Sequence, residues 1–146
     1  MAAERRRAAL GVDHGTKRTG LAVADPTRIV VTPLGAVSGS DADVLDEIER
    51  LLEERDVEHL IVGYPLHMSG RKGKRVDEVD AFIRAAEARF PRLVVVRRDE
   101  RLSTKEAEER LREAGHHGAE RRSRRDAWSA LVLLEDWIRD GEPGPE

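Results

Sequence analysis

The sequence contains no cysteine, and this absence limits the chemistry available to the protein. A chain without thiols cannot form disulfides, attack a substrate through a thiolate, or hold a zinc finger or an iron–sulfur cluster. Any metal ion would therefore have to be bound by carboxylates or histidine. A protein that does not depend on disulfides also fits a reducing compartment, so we expect a cytoplasmic location.

Long hydrophobic runs are also absent, and 38% of the residues are charged. The N-terminal segment MAAERRRAALGVDHG has only a few apolar residues between its arginines and Asp13. That is far short of a signal-peptide core or of a membrane span of about 20 residues. We therefore expect a soluble protein with no membrane partner.

The length of 146 residues predicts one domain with a single core. We expect this domain to cover residues 1–140, because the last periodic apolar pattern ends there. The remaining segment, GEPGPE at 141–146, has the composition of a flexible tail.

The small net charge of −3 conceals a separation of opposite charges along the chain. Residues 41–58 carry nine acidic side chains against Arg50 and Arg55. Basic side chains concentrate elsewhere, at 71–75 and at 116–125. Each basic run is compatible with a solvated loop or with a surface that contacts nucleic acid.

Apolar runs and helical periodicities follow one another in the order β-β-β-α-β-α-β-α-α. The predicted strands are 8–13, 20–25, 28–37, 59–63 and 93–96, and the predicted helices are 41–55, 74–90, 103–115 and 126–141. Three strands joined by short turns should be antiparallel, whereas the last two, each reached across a helix, should be parallel. The pattern predicts an α/β fold with a mixed five-stranded sheet flanked by helices.

Two local features refine this prediction. Pro33 cannot donate a ladder hydrogen bond, so the third strand should lie at an edge of the sheet or contain a bulge. The arginine-rich segment 116–125 is predicted to be a loop, with Asp126 opening the final helix.

Acidic residues occur where the first and last strands end. Asp13 ends the first strand, Asp99 and Glu100 follow the last strand, and Asp126 lies at the final helix. If these strands are close in the sheet, the carboxylates meet at one edge, where they could bind Mg²⁺ or Mn²⁺. Structural alternatives exist for three of them: Asp13 as a turn residue, Asp126 as a helix-start carboxylate, and Asp99 as a partner of Arg101.

Four segments resemble the signature blocks of the YqgF/RuvX family of RuvC-like bacterial nucleases. They are GVDHGTKRTGLAVAD (11–25), LIVGYPLHMSGRKG (60–73), DERLST (99–104) and RRDAWSALVLLEDWI (124–138). The resemblance implies an RNase H-like (RuvC-like) fold and a cytoplasmic nuclease that matures the 5′ end of pre-16S rRNA. Holliday-junction resolution is the alternative activity that it implies. His14 departs from the family pattern, in which an aromatic or apolar residue is expected.

The resemblance also implies roles for individual residues. Asp13, Glu100 and Asp126 would be the catalytic carboxylates and would bind the metal, with Asp99 as an alternative ligand or as a residue that orients Arg101. Lys17, Arg18 and Arg101 would contact phosphates. Further nucleic-acid contacts are predicted at the following positions: Tyr64, Arg71, Lys72, Lys74, Arg121, Arg122, Arg124 and Arg125.

Three functions remain open on the sequence. The first is a metal-dependent endonuclease that acts on structured RNA such as pre-16S rRNA. The second is a resolvase of four-way DNA, which would need a homodimer to cut symmetrically, and the offset of Trp128 from Trp137 on the last helix suggests a subunit contact. The third is a non-catalytic nucleic-acid-binding factor in ribosome assembly or transcription, which the presence of three acidic positions disfavours.

Overall fold

The computed structural model describes residues 6–65, 73–100, 109, 112–113 and 118–145, and within the last range it describes side chains from residue 125 onward. The five strands are β1 (Ala8–Asp13), β2 (Arg18–Ala24), β3 (Val31–Ser38), β4 (Val57–Tyr64) and β5 (Val94–Asp99). The helices are α1 (Asp41–Glu54), α2 (Lys74–Arg89) and α3 (Gly118–Arg139). Residues 109 and 112–113 are also helical, and the predicted helix start at 103 lies outside the described residues.

The strands form one sheet in the order β3-β2-β1-β4-β5. β1 pairs antiparallel with β2, and β2 pairs antiparallel with β3. β4 is parallel to both of its neighbours, β1 and β5. Helix α1 connects β3 to β4, and helix α2 connects β4 to β5, so the chain crosses over the sheet before each of the last two strands. The predicted mixed sheet is therefore confirmed. β3 is an edge strand, and its register with β2 shifts between Leu21 and Ala22, which confirms both expectations for Pro33.

The alternation of side chains along the strands divides the core between the two faces of the sheet. Leu10 and Val62 belong to the cluster that includes Ile48 of α1 and Phe82 of α2. The opposite face is covered by α3, and there the sheet presents small residues such as Ala9 and Ala22. These small side chains allow α3 to pack close to the centre of the sheet.

A capping box fixes the beginning of α1. The Ser40 hydroxyl accepts a hydrogen bond from the backbone N–H of Asp43, and the Asp43 carboxylate accepts one from the Ser40 N–H. Two backbone donors are satisfied in this way, so the helix begins at Asp41, directly after its N-cap Ser40. The helix start places Asp41 beside the end of β1, where its carboxylate accepts a hydrogen bond from the ring of His14.

The prediction for the last helix is wrong at its start. The last helix begins at Gly118, so residues 118–125 of the arginine-rich segment are helical rather than part of a loop. Arginine and glutamate have high helix propensities, and no proline interrupts the segment, so the helical pattern extends through it. Asp126 consequently lies in the interior of α3, which removes the interpretation of this residue as a helix-start carboxylate.

The chain that follows α3 contacts the rest of the domain. Glu142 accepts a hydrogen bond from Arg28 Nε at 3.0 Å, and the indole of Trp137 donates to the Pro143 carbonyl at 3.0 Å. Trp137 is fully buried, whereas Trp128 is half-buried against the α3 face of the sheet. Within the described residues, no helix combines the length and apolar character that crossing a membrane requires.

Gly20 makes the closest approach between the sheet and α3. A Cβ atom at this position would lie 1.9 Å from the Asp126 carbonyl oxygen and 2.1 Å from its carbonyl carbon. Real Cβ atoms do not come this close to backbone atoms, so any side chain at residue 20 would push α3 off the sheet.

We therefore expect Gly20→Ala to lower the free energy of unfolding by at least about 1–3 kcal/mol, the usual cost of overpacking a core. Urea denaturation followed by circular dichroism measures this loss. Gly144→Ala is the matched control, because a Cβ at Gly144 has no neighbour within 4 Å. Equal stability of the two variants would contradict the close packing of α3.

Candidate functional site

Asp13 ends β1 and is the centre of the candidate site. Its register partner is Gly20 of β2, and the alternation along β1 directs its side chain to the face covered by α3. The carboxyl group keeps only a limited exposed surface there. Because the neighbouring residues on this face are small, other acidic side chains can approach it.

Glu100 comes to Asp13 from the end of β5. Its backbone N–H donates to the Tyr64 carbonyl at 3.3 Å, which extends the β4–β5 pairing by one residue. Glu100 Oε2 lies 2.8 Å from the place that a Cβ on Gly63 would occupy, so the missing side chain at Gly63 leaves room for the carboxylate. Glu100 then shares a side-chain hydrogen bond with Asp13.

Asp126 reaches the same edge from α3, because the helix passes directly over Gly20. Its Oδ2 atom accepts a hydrogen bond from Arg18 Nε at 2.9 Å. Its Oδ1 atom lies 4.0 Å from Arg125 Nε. The sequence prediction named all three carboxylates, and the structure brings Asp13, Glu100 and Asp126 to one edge of the sheet.

The pKa of Asp13 is raised well above its ordinary value. Burial is the largest cause, since it disfavours the ionised form. The charge of Glu100, the hydrogen bond with Glu100 and the charge of Asp126 raise the pKa further, while Arg75 lowers it. At Asp13, burial and the two neighbouring carboxylates therefore outweigh the effect of Arg75.

Arg75 and His14 form a bridge behind Asp13 that the sequence analysis did not predict. Arg75 donates from Nη2 to the His14 carbonyl at 2.5 Å and pairs through Nη1 with Glu78 at 3.0 Å. The buried His14 ring donates from Nε2 to Asp41 at 2.8 Å. This bridge ties the end of β1 to the first turns of α1 and α2. In the sequence, Arg75 is one member of a basic run, and the departure from the family pattern at His14 is the one signal of this bridge.

Asp99 and Glu100 occupy opposite sides of the sheet. Asp99 is the last residue of β5 and pairs in register with Tyr64. The alternation along β5 gives it the same side as Arg97, which lies 3.6 Å from Asp80 of α2. Glu100 takes the α3 side together with Asp13. Of the two candidate ligands, the geometry favours Glu100.

The donor set fits a hard divalent cation. Carboxylate oxygens are the ligands that Mg²⁺ and Mn²⁺ prefer, and a cation between them would offset the repulsion that raises the pKa of Asp13. Within the described residues, no three histidine or acidic side chains are grouped closely enough to hold one ion. Asp126 is instead engaged with Arg18.

The predicted nucleic-acid contacts are distributed unevenly. Lys17 and Lys74 are exposed, in the β1–β2 turn and at the start of α2, and Arg18 and Arg125 lie beside Asp126. The Tyr64 hydroxyl donates to Asp80 at 3.0 Å, and Arg97 covers its ring at 5.5 Å, so this tyrosine also has a packing role. Outside the described residues or side chains lie the following positions: Arg71, Lys72, Arg101, Arg121, Arg122 and Arg124.

The sequence matches one protein family and relatives that share one name. A family model described as RuvX, Holliday junction resolvase, matches residues 7–140. A protein of Chlorobium phaeobacteroides (strain BS1) named "Putative pre-16S rRNA nuclease" is 35% identical over 133 residues, which cover 90% of this chain and 91% of that protein. A protein of the same name from Anaeromyxobacter sp. (strain Fw109-5) is 41% identical over 130 residues, covering 88% of this chain and 94% of that protein.

Comparison of structures confirms the RuvC-like fold. The chain is similar to T. thermophilus RuvC, solved in complex with a Holliday junction substrate, with a TM-score of 0.61. The similarity covers 95% of this chain and 99% of that chain, at 15% sequence identity. The family match over almost the whole sequence, with relatives 35% and 41% identical, shows that the protein belongs to the RuvX family.

Proposed function

We propose that the protein is a divalent-metal-dependent endonuclease that hydrolyses phosphodiester bonds of structured RNA and acts on the 5′ end of pre-16S rRNA. The observation that carries this proposal is the convergence of Asp13, Glu100 and Asp126 on one edge of a RuvC-like sheet. Membership of the RuvX family and the names of the relatives support it. A substrate of this kind would place the protein in the bacterial cytoplasm.

Asp13, Glu100 and Asp126 would hold Mg²⁺ or Mn²⁺. When bound, such ions activate a water molecule for attack on phosphorus and stabilise the oxygen that leaves. Asp13 enters from a rigid strand and Asp126 from the interior of a helix, so their backbone positions are fixed. Glu100 follows the last β5 residue and is positioned by its N–H bond to Tyr64.

Basic side chains around the carboxylates would bind the phosphate backbone. Lys17 and Lys74 are exposed on the β1–β2 turn and on the first turn of α2. Arg75 holds the residue after Asp13 through the His14 carbonyl, so it would position the carboxylate rather than bind RNA. Phosphate contacts of this kind give affinity without sequence preference, which suits recognition of RNA by its shape.

Resolution of four-way DNA is the second candidate, and the description of the matching family favours it. This activity would require two symmetric cuts and hence a homodimer. The half-buried Trp128 on α3 is the residue that we propose for a subunit contact. The pre-16S activity is preferred because the curated relatives at 35% and 41% identity carry that name.

Asp13→Asn should abolish cleavage and leave RNA binding in metal-free buffer intact. The substitution removes a charge that the metal needs while it retains the size of the side chain. We would incubate a 5′-extended pre-16S RNA and a four-way DNA junction together in Mg²⁺ or Mn²⁺ and follow both by gel. We expect the parent to cut the RNA and the variant to cut neither substrate. If the parent cuts only the junction, the result favours the resolvase. A variant as active as the parent would exclude Asp13 as a ligand, and binding without any cutting by the parent would favour a non-catalytic factor.

Glu100→Gln and Asp99→Asn form a matched pair that decides which acidic residue serves the metal. Each variant removes one charge at adjacent positions on opposite sides of the sheet. We expect Glu100→Gln to lower kcat by about 100-fold or more and Asp99→Asn to change it less than about 5-fold, because only Glu100 lies on the Asp13 side. The reverse order in the same assay would assign the ligand to Asp99.

The raised pKa of Asp13 predicts an effect on stability without metal. The folded protein binds the Asp13 proton more tightly than the unfolded chain does. The free energy of unfolding therefore falls as the pH rises from the pKa of Asp13 in the unfolded chain towards its raised pKa in the folded protein. Asparagine cannot ionise. In chelated buffer at neutral pH, Asp13→Asn should therefore melt a few degrees higher than the parent.

Addition of Mn²⁺ should reverse this order. The ion binds the folded parent and raises its Tm with concentration, whereas the variant lacks one ligand and should respond less. Differential scanning fluorimetry across a Mn²⁺ series measures both effects. A variant that is less stable than the parent without metal would contradict the electrostatic account of Asp13.

A further inference from the structure

Arg18 contacts a proposed metal ligand at hydrogen-bond distance. Its Nε donates to Asp126 Oδ2 at 2.9 Å. The residue begins β2, and alternation gives it the same side of the sheet as Gly20, where α3 passes. The ion pair therefore spans the sheet and the helix at the candidate active site.

The two partners differ in their exposure. The Arg18 side chain is 40% exposed, whereas that of Asp126 is 16% exposed. Asp126 is fixed on a helix that is packed against the sheet. Arg18 has a long side chain at the rim of the site, so it can turn towards solvent while the carboxylate stays in place.

A divalent cation and the Arg18 guanidinium would compete for Asp126. Two cations on one carboxylate repel each other, and a partly exposed ion pair of this kind contributes little to stability. A metal ion that is also bound by Asp13 and Glu100 would therefore displace the guanidinium. Once released, Arg18 would point from the same edge towards solvent with all of its donors free.

We propose that Arg18 changes partner: it holds Asp126 in the metal-free protein and binds a phosphate of the nucleic acid when a divalent cation takes Asp126. The inference rests on the proposed function, because it assumes a metal at these carboxylates. Arg18 thus acts as a positioning residue in one state and as a binding residue in the other. Metal and nucleic acid consequently favour each other's binding.

Lys17 provides the matched control. It is the adjacent residue in the β1–β2 turn, it carries the same charge, and it is exposed. Its described contact is through the backbone, whose carbonyl accepts from the Gly39 N–H at 3.3 Å. Lys17→Gln therefore removes one charge near the edge without removing a partner of Asp126.

The first experiment measures Mn²⁺ binding to the full chain by calorimetry without RNA. Arg18→Gln should bind Mn²⁺ about two- to five-fold more tightly than the parent, because the ion no longer displaces a guanidinium. Lys17→Gln should change the affinity less, and Arg18→Lys should remain near the parent because it keeps a charge that can pair with Asp126. A role of Arg18 in folding alone would weaken Mn²⁺ binding instead.

The second experiment measures the affinity of a fluorescent 5′-extended pre-16S RNA with and without Ca²⁺, an ion used here to limit cleavage. Arg18→Gln should lose more affinity in Ca²⁺ than in chelator, whereas Lys17→Gln should lose the same factor in both. Circular dichroism of each variant checks that it is folded.

The two proposals fail in different ways. If the parent binds no Mn²⁺ and cuts no RNA, the proposed function is overturned together with this inference. If the parent binds Mn²⁺ and cuts RNA, but Arg18→Gln binds Mn²⁺ no more tightly or loses RNA affinity equally in both buffers, only the partner change is overturned.

Discussion

The close approach of α3 to β1 and β2 is the constraint on which the candidate site depends. Asp13 belongs to the sheet and Asp126 to the helix, so their separation is set by how tightly these elements pack. Gly20 permits the contact, because a Cβ at that position would overlap the Asp126 carbonyl. Gly63, in the strand on the other side of β1, leaves room for the Glu100 carboxylate, because a Cβ there would lie 2.8 Å from Glu100 Oε2. Small residues in the sheet therefore determine where the charged residues meet.

This arrangement places three carboxyl groups that repel one another at one edge of the sheet. Burial and two neighbouring carboxylates raise the pKa of Asp13, and Arg75 offsets only part of that effect. Asp126 is balanced separately by Arg18. A divalent cation bound as proposed would relieve the repulsion at all three carboxylates.

The architecture was predictable from the sequence because strand and helix periodicities are local signals. The antiparallel hairpins, the parallel crossovers and the edge position of Pro33 all follow from them. The predicted start of the last helix at Asp126 is wrong, because a dense run of arginines is also typical of a solvated loop, although arginine favours helices. The choice between Asp99 and Glu100 depends on the true end of β5, since a difference of one residue reverses the side of the sheet. The Arg75–His14–Asp41 bridge joins three elements distant in sequence, so no local pattern reveals it.

A crystal structure grown with Mn²⁺ and phased at the manganese absorption edge would test the central claim most directly. We predict anomalous density at the edge where β1, β5 and α3 meet, with oxygen ligands from Asp13, Glu100 and Asp126. Strong density elsewhere with Asp13 and Glu100 still sharing their hydrogen bond, or no manganese at this edge, would contradict the account.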